Sequence, residues 1–173
     1  MFQLNVLMQA LRKYMTENYI PDTSGDLYSI DTTSSDEIYK AAEFTSRDAR
    51  NLEELIGELG ESFHEMLFRK IRESGLPESD IYKRANIDRR LFSKIRSNPA
   101  YHTRKDTVLV LAIALELSID EAIELLEKAG YALSPGSKGD LIVKYFLERK
   151  IYDIHVINYA LDEFDQPIFG GGN

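Results

Sequence analysis

A run of basic side chains near the middle of the chain has the spacing of a surface that binds a polyanion. Arg89 and Arg90 begin a short predicted helix, and Ser93 follows one turn later. An arginine guanidinium can bind guanine O6 and N7 with two hydrogen bonds, and serine can bond to base edges. We therefore predict that these three side chains contact bases in the major groove of double-stranded DNA.

Further cations and one tyrosine follow where contacts to the phosphate backbone are expected. Phosphate contacts orient a protein on DNA without specifying sequence. These predicted phosphate contacts are Lys94, Arg96, Tyr101, Arg104 and Lys105. Residues 69–105 carry 11 basic and 4 acidic side chains, net +7, although the whole chain has a net charge of −8. A solvated basic surface without a partner is the alternative interpretation.

Two short helices, predicted at about 78–84 and 88–96, would position these side chains. Asn86 occupies the sharp turn between them, where a residue able to adopt the left-handed conformation is needed. Asp88 is the expected cap of the second helix. This arrangement predicts helix-turn-helix geometry, in which the first residues of the second helix reach base edges. The buried seam between the helices is predicted to comprise Ile81, Ile87, Phe92 and Ile95.

Residues 62–130 resemble the phage-repressor (lambda repressor/Cro-like) helix-turn-helix family. The matching pieces are Ala85-Asn-Ile-Asp-Arg-Arg-Leu-Phe-Ser-Lys-Ile-Arg and Thr107-Val-Leu-Val-Leu-Ala-Ile-Ala-Leu-Glu-Leu-Ser-Ile-Asp-Glu. The resemblance implies a five-helix bundle that binds DNA as a two-fold homodimer, with half-sites about 34–36 Å apart. It therefore implies a sequence-specific transcriptional regulator.

Three residues depart from the pattern of that family. Tyr82 stands where a small residue is usual, so the helix pair must splay or Tyr82 must turn outward. Pro77 and Glu78 replace a Ser or Thr followed by Gln, and a carboxylate facing phosphate is unfavourable. A protein–protein adaptor that retains the fold without binding DNA, associated with phage defence or a toxin–antitoxin pair, is the alternative function. Such an adaptor should expose an apolar patch around Tyr82 and Phe92.

The remaining elements are also predicted to be helical. The apolar spacing predicts an amphipathic helix over 2–18, and the capping boxes Ser62-Phe-His-Glu65 and Ser118-Ile-Asp-Glu121 each begin a helix. The predicted fold is all-α: a five-helix repressor-like bundle with additional N- and C-terminal helices. Its regions are an N-terminal helical arm 1–60 with a loop at 20–36, the helix-turn-helix domain 61–130 and a packed C-terminal extension 131–169. The arm either mediates oligomerisation or packs on its own domain.

The composition argues against several other classes of protein. The chain has no cysteine, and its histidines (His64, His102 and His155) are widely separated, so we expect no metal and no cofactor. No nucleophile–base pair is apparent, which predicts a non-enzyme. No run of about 18 apolar residues or signal-peptide pattern occurs, which predicts a cytoplasmic protein without a membrane partner.

Overall fold

The computed structural model describes residues 2–21 and 60–170, and within these ranges it contains helices and no strand. The predicted all-α class is confirmed for this part of the chain, whereas most of the predicted loop 20–36 lies outside the described residues. None of the described helices is long and apolar enough to cross a membrane. The eight helices in the described ranges are α1 Phe2–Asn18, α2 Phe63–Ser74, α3 Glu78–Arg84, α4 Arg89–Ser97, α5 Lys105–Ala114, α6 Ile119–Lys128, α7 Lys138–Glu148 and α8 Ile154–Glu163.

Local hydrogen bonds set the ends of several helices, because the first backbone N–H groups of a helix lack partners within it. The hydroxyl of Ser62 accepts from the Glu65 backbone N–H at 3.3 Å, and the Glu65 carboxylate accepts from the Ser62 N–H at 2.8 Å. Ser118 and Glu121 form the same reciprocal pair at the start of α6. Both predicted capping boxes are therefore confirmed.

Helix α5 lies at the centre of the core. Its residues from Thr107 to Ala114 are all buried, and α3 and α6 pack against it. Ile81 of α3 and Leu125 of α6 have no exposed surface. A helix that is apolar on every side must be covered on every side, so the neighbouring helices assemble around α5.

Helix α1 packs on α7 within the same compact unit as the other seven helices. Met8, Leu11 and Met15 are buried, and the Tyr14 ring meets the Tyr145 ring edge to face with centroids 5.1 Å apart. Arg12 also forms an ion pair with Glu163 of α8. Of the two possibilities for this helix, the structure shows packing on its own domain.

A polar link joins α2 to α6 at the edge of the core. The Lys70 ammonium lies 2.6 Å from a Glu121 carboxylate oxygen and 3.2 Å from one of Glu73. The hydrogen bond from Lys70, together with the bonds from Ser118, lowers the pKa of Glu121 from 4.5 to about 2.

Leu11→Ala should lower the free energy of unfolding by about 2–5 kcal/mol, because it removes a fully buried side chain from the contact between α1 and the domain. Lys13→Ala on the exposed side of α1 is the matched control and should change stability by less than about 0.5 kcal/mol. Urea unfolding of both variants measures this. An unchanged midpoint for Leu11→Ala would contradict the packing of α1 described above.

The free energy of unfolding should fall as the pH drops from about 4.5 to about 2. Glu121 has a lowered pKa in the folded state, so its contribution is present above the unfolded-state pKa and is lost as the carboxylate becomes protonated in the folded protein. Glu121→Gln should flatten this part of the pH profile, while Glu127→Gln, an exposed position on the same helix, should leave it unchanged. Denaturant unfolding at each pH tests the effect, and equal slopes in the wild type and Glu121→Gln would disprove it.

Candidate nucleic-acid interface

The turn between α3 and α4 has the local geometry that the sequence predicts. Asn86 adopts a left-handed conformation, with φ of 51°, and the Ile87 N–H donates to the Tyr82 carbonyl at 2.9 Å. A carboxylate oxygen of Asp88 accepts from the Arg90 N–H at 2.6 Å, which caps α4. The predictions for Asn86 and Asp88 are confirmed, and together these residues set the direction in which α4 leaves the turn.

One side of α4 is buried and the opposite side is exposed. Phe92 and Ile95 are buried, while Arg89, Arg90 and Ser93 are exposed. Because residues three or four apart share a side of a helix, the exposed surface can be described as two adjoining rows. The first row contains Arg89, Ser93 and Arg96, and the second contains Arg90 and Lys94. We call these two rows the basic face.

The first row borders a shallow groove between α3 and α4. Glu78 and Ser79 line this groove together with Arg89, Ser93 and Arg96. At its base the half-buried Tyr82 ring packs against Phe92, with the ring centroids 5.6 Å apart. Tyr82 is therefore accommodated at the rim of the interface between the two helices.

Glu78 neutralises part of the first row. Its carboxylate accepts a hydrogen bond from the Arg96 guanidinium at 2.7 Å. The Arg96 carbonyl also lies 3.1 Å from Nε2 of His64, so the end of α4 is joined to the first turn of α2. Arg96 thus has protein partners on both its side chain and its backbone, which the sequence pattern did not predict.

The second row keeps its charge. Arg90 is exposed and has no ion-pair partner among the described residues, and the same holds for Arg89 in the first row. The Lys94 ammonium lies 4.4 Å from the centroid of the Tyr101 ring, a cation–π contact that brings two of the predicted phosphate contacts together. Arg104, at the start of α5, is also exposed.

Lys105 has a different environment from the other predicted phosphate contacts. Its ammonium lies 2.5 Å from a carboxylate oxygen of Asp140, which is only 7% exposed, at the start of α7. The same oxygen of Asp140 accepts from the Ser134 N–H at 2.8 Å. Lys105 therefore joins α5 to α7 and is not part of the basic face. A pair separated by 35 residues leaves no periodic signal in the sequence.

The three histidines belong to different elements of the fold, His64 to α2, His102 to the loop before α5 and His155 to α8. His102, in the loop before α5, lies 3.1 Å from the Tyr131 hydroxyl, and His155 is exposed in the first turn of α8. Within residues 2–21 and 60–170, no group of three or more acidic or histidine side chains is arranged to hold a metal ion.

Comparison of the chain with protein-family models, curated proteins and solved structures finds no match.

Asp88→Ala should lower the free energy of unfolding by about 0.5–2 kcal/mol, because it leaves a backbone N–H at the start of α4 without an acceptor. Asp88→Asn keeps an oxygen acceptor and is the matched control, so it should retain most of the stability. Chemical unfolding of both variants is the measurement. Equal losses in the two variants would show that the charge, not the cap, stabilises this end of α4.

Proposed function

We propose that this chain is a sequence-specific DNA-binding transcriptional regulator in which α3 and α4 act as a helix-turn-helix pair. The observation that carries the proposal is the exposure of Arg89 and Arg90 on the first turn of α4, where neither has an ion-pair partner among the described residues. In helix-turn-helix proteins the N-terminal residues of the second helix contact base edges. Arg89, Arg90 and Ser93 would then read bases.

Lys94, Tyr101 and Arg104 would contact the phosphate backbone. Lys94 and Tyr101 are held together by their cation–π contact, which limits the entropy that Lys94 would lose on binding. Arg96 would contribute less than the others, because Glu78 already neutralises its charge. Lys105 is left out of this assignment because Asp140 holds its ammonium.

The small amount of apolar surface exposed on α3 and α4 favours DNA over the adaptor alternative. An adaptor docking on α3 and α4 would need an apolar patch there, yet Phe92 is 3% exposed and Tyr82 is half-buried. The large exposed hydrophobic side chains of the described residues lie elsewhere, at Val6, Ile20, Tyr159 and Ile168.

We further propose that the protein acts in the cytoplasm as a homodimer without catalytic activity. A single α4 can contact only a few base pairs, whereas two copies related by a two-fold axis would read half-sites about 34–36 Å apart. A duplex selected from random sequence should therefore contain an inverted repeat of that spacing.

Substituting the basic face should separate base contacts from phosphate contacts. Arg90→Ala should cost about 1–3 kcal/mol on the selected duplex and relax the preference at one base pair. Lys94→Ala should weaken binding to all duplexes alike. It should also reduce the slope of log affinity against log salt concentration by about 1, the value expected for one lost phosphate contact. Salt titrations of duplex binding by fluorescence anisotropy measure both effects.

The control is Lys13→Ala on α1, which removes the same charge from an exposed position outside the basic face and should leave affinity nearly unchanged. The double variant Arg89→Ala/Arg90→Ala should lose sequence-specific binding. Absence of binding by the wild type at about 50 mM salt, where phosphate contacts are strong, would refute the proposed function and favour a protein partner.

A further inference from the structure

The C-terminal segment lies against the turn that begins α4. After α8 ends, residues 166–170 form a short stretch without helical structure, which we call the strap. Gly170, at its end, contacts the side chain of Asn86. A Cβ atom on Gly170 would stand 2.4 Å from Asn86 Nδ2 and 3.3 Å from its Cγ. The strap therefore joins the last helix to the turn between α3 and α4.

Two features of the structure disfavour a side chain at this point of the strap. Gly170 has a φ of 78°, in the left-handed region where residues with a Cβ are disfavoured. The contact distance to Asn86 also leaves no room for a side chain without displacing the amide. Asn86 is itself left-handed, so the contact joins two residues in conformations that most residues avoid.

Two hydrogen bonds and one buried ring hold the strap in place. The Asn158 side chain on α8 accepts from the Phe169 N–H at 2.9 Å and donates to the Phe169 carbonyl at 2.9 Å. The Phe169 side chain is 7% exposed and belongs to the hydrophobic core. The residue immediately before Gly170 is thus fixed by both its backbone and its side chain.

We propose that the strap positions α4 by holding Asn86, and that Asn158, Phe169 and Gly170 are positioning residues for the basic face. The functional part of this inference rests on the proposed DNA binding. The structural part is independent of DNA binding: the turn at Asn86 should open less often when the strap is packed against it. When the turn before α4 is held in one conformation, α4 is preorganised, and preorganisation lowers the entropic cost of contacting a ligand.

Amide hydrogen exchange of the full chain tests the positioning directly. Phe169→Ala should accelerate exchange of the amides of residues 86–90 at least fivefold relative to the amides of α6. Ile168→Ala, in the same strap but 46% exposed, is the matched control and should change neither. Acceleration of the turn and α6 amides by the same factor would mean general destabilisation and would overturn the inference.

A second pair of variants avoids removing a core side chain. Gly170→Ala should accelerate exchange at residues 86–90 because its new Cβ displaces the Asn86 amide. Asn86→Gly keeps the left-handed conformation and removes the contacted side chain, so adding Gly170→Ala to it should accelerate exchange at the turn by a smaller factor than Gly170→Ala does alone, because only the backbone strain at Gly170 remains. Additive effects of the two substitutions would contradict the proposed contact.

Measurements of duplex affinity then distinguish the positioning role of the strap from the proposed DNA binding. If both hold, Phe169→Ala and Gly170→Ala should weaken binding to the selected duplex at least fivefold, whereas Ile168→Ala should not. Faster exchange at the turn with no duplex bound by the wild type would support the strap and refute the DNA proposal. Weaker duplex binding by the strap variants with unchanged exchange at residues 86–90 would overturn the positioning role and leave the DNA proposal intact.

Discussion

The burial of α5 on all its sides is the constraint on which the rest of the described structure depends. Eight of its ten residues are buried, so no side of this helix can be left facing water. Helices α3 and α6 cover part of it, and the pair of Lys105 with the buried Asp140 joins its first turn to the first turn of α7. A buried carboxylate is costly unless it is paired, and here an ammonium and a backbone N–H both bond to it.

A short series of contacts that begins at α5 determines the position of the basic face. Helix α3 has only seven residues, fewer than an isolated helix needs to be stable in water, so its burial against α5 holds it in place. The turn at Asn86 and the Asp88 cap then determine where α4 begins. The strap meets the same turn from the other end of the chain. Two independent attachments thus converge on the turn that precedes the helix carrying Arg89 and Arg90.

The charge of the molecule is distributed unevenly along the chain. An overall charge of −8 coexists with a net charge of +7 at residues 69–105, where Arg96 and Lys105 form ion pairs with Glu78 and Asp140. The exposed cations of this block include Arg89, Arg90 and Lys94 on α4 and Arg104 at the start of α5. A local positive potential of this kind would favour the approach of a polyanion to this face.

The sequence by itself determined where several of the described helices begin, because caps and turns involve residues only two to five positions apart. Ser62 with Glu65, Ser118 with Glu121, and Asp88 with the Arg90 N–H are all of this kind. The amphipathic spacing also predicted the helix over 2–18.

Only the tertiary structure decided which of these elements meet. The pairing of Lys105 with Asp140, the ion pair of Arg96 with Glu78, the packing of α1 on α7 and the contact of Gly170 with Asn86 join residues distant in sequence. Each depends on how helices pack around α5, and many partners of similar chemistry would satisfy the same local pattern. Nothing in the sequence shows that Arg96 and Lys105 form ion pairs whereas Arg89 and Arg90 do not. Packing brings carboxylates beside the first two side chains and makes this difference in the folded protein.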